Sequence, residues 1–409
     1  MLRTAVEDRL REEHESDGYL FPAYESYCFG SVPGTVRSIL DAGGRRSLPG
    51  DVFEGVRTGV STVVTEIVDG YGFDSWKRDR ARHTFLDRLT ERGTVTPLTS
   101  VYPSETAAAM TTFETGQPPC EHGRIGWNIY DPATDRCFLS FGGKIKSGRD
   151  AGSTTAAASE GVDYHYADLD GRRIDCHRVQ PIEQETAGVT QHTYDGLSSF
   201  GDRLARVTND SDDPAYVYGY AHDIDHVSHS DGTESEAFQR TLGAVCRQLS
   251  GFVESLDDAT ASETLLIVTA DHGHVDTDPE RNVDLSEREA VVSNLRRHAD
   301  GTPVRLAGSP RNTHLHLRDG AERVRERLSD LDARTFTREA VLDRELFGDR
   351  EPSERFERRC GDLVLTHRDL GTWYGDAEPD ELDLIGMHGG LHPDEMLVPF
   401  AAVRADQLR

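Results

Sequence analysis

Four stretches of the chain are almost continuously apolar and rich in β-branched residues: STVVTEIV (61–68), VTPLTSVY (95–102), YVYGYA (216–221) and TLLIVTA (264–270). Runs without polar alternation suit strands covered on both faces. Between them lie helix-length segments at 73–92, 105–115 and 234–256. Buried strands alternating with helices predict an α/β fold with a doubly wound, mostly parallel sheet flanked by helices. Upstream, PGTVRSILDAGG reads as a short helix with Pro33 near its start. The paired Gly43 and Gly44 stop it, and no Gly-Lys-Ser/Thr follows to make a phosphate loop.

The pattern divides the chain into an N-terminal extension (1–60), the main part of a catalytic α/β domain (61–284), an inserted α+β cap (285–370) and a return to the first domain (371–409). The cap reading rests on helical stretches near 285–297 and 320–331 and on the strand-like THLHL and DLVLT. Small polar residues at 146–160 and 208–215 predict exposed loops, and no internal repeat is visible.

Charge narrows the functions open to such a fold. Acidic residues number 73 against 45 basic ones, a net charge of −28 over 409 residues. That field opposes binding to nucleic-acid polymers and to anionic membranes. Only Lys77, Lys144 and Lys146 are lysines, and the mean hydropathy is −0.58. Such a composition resembles that of proteins from salt-loving archaea, where high salt screens self-repulsion. Six scattered cysteines without a CxxC spacing suggest neither a zinc ribbon nor a disulfide framework. With no apolar leader and no long apolar span, the expectation is a cytoplasmic protein. Its oligomeric state is not written in the sequence.

Candidate chemistry tracks the strand ends, where open α/β sheets bind ligands. Asp69 follows the first run, although a turn or helix-capping Asp is the commoner reading there. In PSETAAAMTTFETG, Thr106 opens a helix whose N-terminus favours anions. After YVYGYA come two competing pairs at helical spacing, Asp225/His229 and His222/His226. Asp271 and His272 end TLLIVTA, and buried ionisable neighbours of that kind need a partner. GMHGGLHPDEM offers His388 and His392.

Taken in order, VDGYG, VYPSETAAAMTTFETGQPPCEHGRIGWNIYDP, DHVSHSDG, TADHGHVDT and MHGGLHPDEMLVP resemble the motifs of the type I phosphodiesterase/nucleotide pyrophosphatase family, in the alkaline phosphatase superfamily. The resemblance spans roughly residues 60–403. It implies a metal-dependent hydrolase of phosphodiester or pyrophosphate bonds in small-molecule phosphate esters, acting through a phosphothreonine on Thr106. It implies two divalent ions: one held by Asp225, His229 and His388, the other by Asp69, Asp271, His272 and the Thr106 hydroxyl. Gly232, at the family's distance, selects Asp225/His229 and leaves His274 and His392 off the ions. Oxygen and nitrogen donors suit zinc, which the family favours, as well as manganese or iron. Asn128 and Arg311 are the expected substrate contacts. Two positions depart from the family: Glu105 stands where a lysine is common, and Ala109 where an asparagine is. A carboxylate at Glu105 favours a diester over a dianionic monoester. The alternatives are a phosphomonoesterase or phosphonate hydrolase of the same superfamily, or a non-catalytic metal-binding protein.

Overall fold

A computed structural model describes residues 1–43, 47–160, 162 and 164–409; the predicted helix stop falls partly on Gly44, outside them. The main sheet runs in the order Thr94–Thr99, Leu397–Arg404, Thr264–Thr269, Thr62–Val68, Ala215–Ala221, Asp175–Gln180, Thr190–Thr193. Every strand points the same way except Leu397–Arg404, which is antiparallel to both neighbours. The four predicted apolar runs are therefore strands of one mostly parallel sheet. Their side chains are buried on both faces because helices such as Thr84–Arg92, Thr106–Thr115, Phe200–Asp210 and Glu236–Glu254 pack across it.

Residues 1–43 and 47–60 contribute to this core. Helix Thr4–His14 buries Val6 and Leu10, and Met1 and Arg3 pair with Val95 along the sheet edge. Phe29, Val32 and Val36 join the same apolar cluster.

A second sheet is wholly antiparallel, in the order Ala333–Thr337, Leu363–His367, Asn312–Leu315, Gly308–Ser309, Asn128–Asp131, Arg136–Leu139, Ile145–Gly148. Four of its strands come from the 285–370 segment, and three come from residues 128–148, well before it. Two local expectations change accordingly. The start of the 146–160 loop is an edge strand, because Arg136–Leu139 offers it a backbone partner. The helix expected over 285–297 shrinks to the turn Glu289–Val292, because Arg296 N–H and Asn294 C=O bond instead to His316 and Arg318. Tertiary pairing overrides helix propensity there. The sheets meet beside the segment leading into Thr106, where the Tyr102 hydroxyl donates to Asn312 Oδ1 at 3.0 Å.

Candidate metal centre beside Thr106

Topology gathers the candidate residues before any side-chain detail is considered. Parallel strands Thr62–Val68, Ala215–Ala221 and Thr264–Thr269 lie side by side, so Asp69, Asp225 and Asp271 emerge at one edge of the sheet. The antiparallel strand Leu397–Arg404 begins where its neighbours end. The segment before it therefore delivers His388 to the same edge. Thr106 follows Thr94–Thr99 and is the first residue of helix Thr106–Thr115.

Two donor groups result. Asp69, Asp271 and His272 form the first, and Asp225, His272, His274 and His388 the second. In the first group, His272 Nε2 lies 3.0 Å from Thr106 Oγ1, 3.3 Å from Asp69 Oδ1 and 3.5 Å from Asp271 Oδ2. The Tyr220 hydroxyl donates to Asp69 Oδ2, which turns Oδ1 towards Thr106 Oγ1 at 3.5 Å. Gly70 N–H donates to Asp271 Oδ1 at 3.3 Å. Gly70 takes a φ of +73°, a turn that favours glycine.

Beside the second group, His229 shares a face of helix Asp223–Asp231 with Asp225, its Nε2 3.4 Å from Asp225 Oδ1. His388 Nε2 is also 3.4 Å from Asp225 Oδ1. His222 and His226 are exposed, whereas Asp225 and His229 are half-buried. Gly232, with a φ of +82°, ends this helix.

The electrostatics of so many buried groups are lopsided. Burial, with the charges of Asp271 and Asp225, pushes the Asp69 carboxyl well above its ordinary range. Burial also opposes ionisation of Asp225, but His229 above all, with the charge of His388, holds it well below that range. His229 is disfavoured by burial and yet raised to about 9 by Asp225. Burial pushes His272 and His388 down. Asp225 Oδ1, Asp271 Oδ2, His274 Nε2 and His388 Nδ1 are buried without hydrogen-bond partners. Unsatisfied donors and acceptors of this kind are costly unless something else completes them. All the donors are oxygen or nitrogen, so the residues fit divalent cations.

Arg311 and Asn128, the expected substrate contacts, are both buried. Arg311 is fully buried: it pairs with Glu395 at 2.6 and 3.2 Å and donates to the carbonyls of Leu370 and Arg368. Its guanidinium is thus engaged by Glu395 and two backbone carbonyls. Glu395 in turn accepts from Gly390 N–H and His392 N–H, so Arg311 braces the loop that carries His388. Asn128 is buried at the start of its strand, with Nδ2 donating to Gly308 C=O at 3.4 Å and Oδ1 unpartnered. His392 caps the short helix Pro393–Met396. One residue at the site escapes the sequence reading: Tyr220, hidden inside an apolar run. His274, which the sequence places off the ions, lies with Nε2 3.1 Å from Asp225 Oδ1.

The mostly parallel sheet thus carries a threonine and two acid–imidazole groups at one edge. The chain belongs to the type I phosphodiesterase/nucleotide pyrophosphatase family, whose model matches residues 63–391, which places it among enzymes that hydrolyse phosphoric esters. The fold is similar to that of murine ectonucleotide pyrophosphatase/phosphodiesterase 5, at 18% identity and a TM-score of 0.63, covering 83% of this chain and 87% of that one. It is also similar to the human counterpart, at 17% identity and a TM-score of 0.61, covering 84% and 87%. Phosphonoacetate hydrolase from Sinorhizobium meliloti 1021, in complex with phosphonoformate, is similar at 16% identity and a TM-score of 0.57, covering 85% and 94%. No protein of curated function matches the sequence. Among the described residues, no helix is long and apolar enough to cross a membrane.

Proposed function

We propose that the protein hydrolyses phosphodiester or pyrophosphate bonds of small molecules, with Thr106 as nucleophile and two divalent ions, zinc by preference, as cofactors. Asp69, Asp271, His272 and Thr106 would hold one ion, and Asp225, His229 and His388 the other. Bound there, the ions supply Lewis-acid stabilisation of phosphoryl oxygens and make the threonine hydroxyl easier to ionise.

The observation that carries this reading is the position of Thr106 Oγ1, 3.0 Å from His272 Nε2 and 3.5 Å from Asp69 Oδ1. Thr106 also begins its helix, where free N–H groups and the dipole favour an anionic phosphoryl group. Tyr220 and Gly70 orient the two carboxylates, so little rearrangement is required of them. The hydroxyl gives up its proton to solvent water and Oγ1 bonds to phosphorus. The bond from phosphorus to the leaving oxygen breaks in line with that attack. Water then cleaves the Thr106–phosphoryl bond and restores the hydroxyl. Two in-line displacements retain configuration at phosphorus.

A Thr106→Ala variant tests this. It is expected to lose turnover of bis-p-nitrophenyl phosphate while still binding metal. Acid quenching of the unsubstituted protein with labelled substrate should trap label on Thr106. Full turnover by the alanine variant would end the reading.

A further inference from the structure

Three imidazoles, not two, surround Asp225. Alongside His229 and His388 at 3.4 Å, His274 Nε2 stands 3.1 Å from the same Oδ1, nearer than either. The three rings form a near-equilateral triangle, with centroids 5.3 Å (His229 to His274), 5.2 Å (His274 to His388) and 5.1 Å (His229 to His388) apart.

The tautomer of His274 follows from its other nitrogen. Nδ1 lies 3.0 Å from the Gly70 carbonyl, which can only accept, so Nδ1 carries the proton. His229 is locked in the same way by Gly386 C=O at 2.8 Å. Metal-binding histidines are commonly oriented by such a bond to a backbone carbonyl. The bare Nε2 of His274 is left facing inwards on a side chain of 0% exposure, and it has no hydrogen-bond partner; nor has Asp225 Oδ1. Two lone pairs 3.1 Å apart repel, and a cation between them removes the repulsion.

The spacing also suits a cation. Four donors set tetrahedrally at roughly 2.0–2.1 Å from a metal lie about 3.3–3.4 Å from one another. The three nitrogen-to-oxygen distances here, 3.1, 3.4 and 3.4 Å, have that scale. The place for the ring is built into the turn. A Cβ on Gly70 would fall 2.3 Å from His274 Cε1, so the glycine that shapes the loop after Asp69 also makes room for His274.

We propose that His274 Nε2 is a fourth protein donor to the ion held by Asp225, His229 and His388, giving a three-histidine, one-carboxylate set. This rests on the two-ion reading above. Its consequence is that this ion has its four positions filled by protein. A substrate oxygen must therefore enter as a fifth ligand or displace one of the four, whereas an ion with three protein ligands keeps a position open.

Metal-free protein titrated with Co(II), and with Zn(II) against a chelator, tests the assignment in the parent protein and in His274→Ala and His274→Gln, with His229→Ala as a reference. Thermal melts of the metal-free forms establish that each is folded. The expected result is two ions per chain in the parent. In both His274 variants one of the two should bind about 100-fold more weakly or worse, beyond the usual loss of an orienting partner. The visible spectrum of the weakened Co(II) site should also change in intensity and position, as a lost nitrogen donor requires. If the parent binds no ion, the two-ion reading fails and takes this assignment with it. If the parent binds two ions and both His274 variants keep their affinity and spectrum, the assignment alone fails. Weakened binding with an unaltered Co(II) spectrum also overturns it, since His274 would then be positioning Asp225 without touching the ion.

Discussion

The Tyr220 hydroxyl donates to Asp69 Oδ2, and by occupying that oxygen it presents the other to Thr106 and His272. Tyr220 is the next-to-last residue of strand Ala215–Ala221, so its ring is fixed by the sheet and not by a loop. Outer partners of metal-binding carboxylates typically contribute 10–100-fold to metal affinity or activity. Tyr220→Phe keeps the ring and removes only the donor. Its expected effect is a loss of roughly 10–100-fold in affinity for one ion, read by chelator competition, with the melting temperature of the metal-free protein little changed. Unaltered affinity would reduce Tyr220 to packing.

Glu105 is the second test. Its carboxyl is buried, and a Cβ on Gly389 would come within 3.0 Å of Glu105 Oε2, so it packs beside the loop of His388 and directly before Thr106. Burial raises it to about 7. At pH 9 it is ionised and should disfavour a dianionic monoester more than a monoanionic diester. One extra unit charge several ångströms away is worth roughly 1–2 kcal/mol at a protein's effective dielectric, about tenfold in rate. Glu105→Gln is therefore expected to raise the monoester-to-diester ratio of kcat/KM about tenfold at pH 9. A ratio that stays put would mean the carboxylate does not sense the substrate.

How far the sequence could be read follows from what each residue type announces. Asp69, Asp225, Asp271 and His272 were legible because continuous apolar runs end on them, a local signal that needs no knowledge of strand order. Leu397–Arg404 was not, since Pro399 interrupts its pattern and nothing local states that it runs antiparallel. Yet that direction is what brings His388 to the site. Residues 128–148 were missed as strands because short antiparallel edges carry few apolar positions. Glu395, the carboxylate that pairs with Arg311, is 84 residues distant. Only the folded chain joins the two.

Acid sensitivity should come partly from the second sheet. His314 is buried, and Gly361 N–H donates to its Nδ1 at 3.1 Å, so protonation would break that bond. Burial lowers it from 6.5 to about 3. The folded value lies below the unfolded one, so the unfolded chain binds the extra proton between them. Stability is then intact above pH 6.5 and falls as the pH drops towards 3, by up to about 1.4 kcal/mol per pH unit for this group. His314→Gln cannot take up that proton. Its urea midpoint should lie below the parent's at pH 8, and the gap should narrow steadily between pH 6.5 and 4.5. A constant gap would mean that His314 does not titrate on unfolding.

Salt should act in the opposite sense to its usual effect on ion pairs. Many of this protein's pairs are exposed, among them Arg288–Asp330, Arg334–Asp17 and Arg368–Asp332. Each is worth about 0–1 kcal/mol and weakens as salt rises. Set against them is the repulsion of 73 acidic by only 45 basic residues, spread over the whole surface and relieved by the same screening. The Debye length falls from about 10 Å at 0.1 M to about 3 Å at 1 M, so most of the relief comes below 1 M. Strengthened apolar burial would instead keep growing with concentration. The urea midpoint is therefore expected to climb steeply from 0.1 to 1 M KCl and to flatten beyond. A midpoint that drops over that range would show that the local pairs outweigh the net charge. A straight rise without a plateau would assign the effect to apolar burial, leaving the acidic surface with no part in stability.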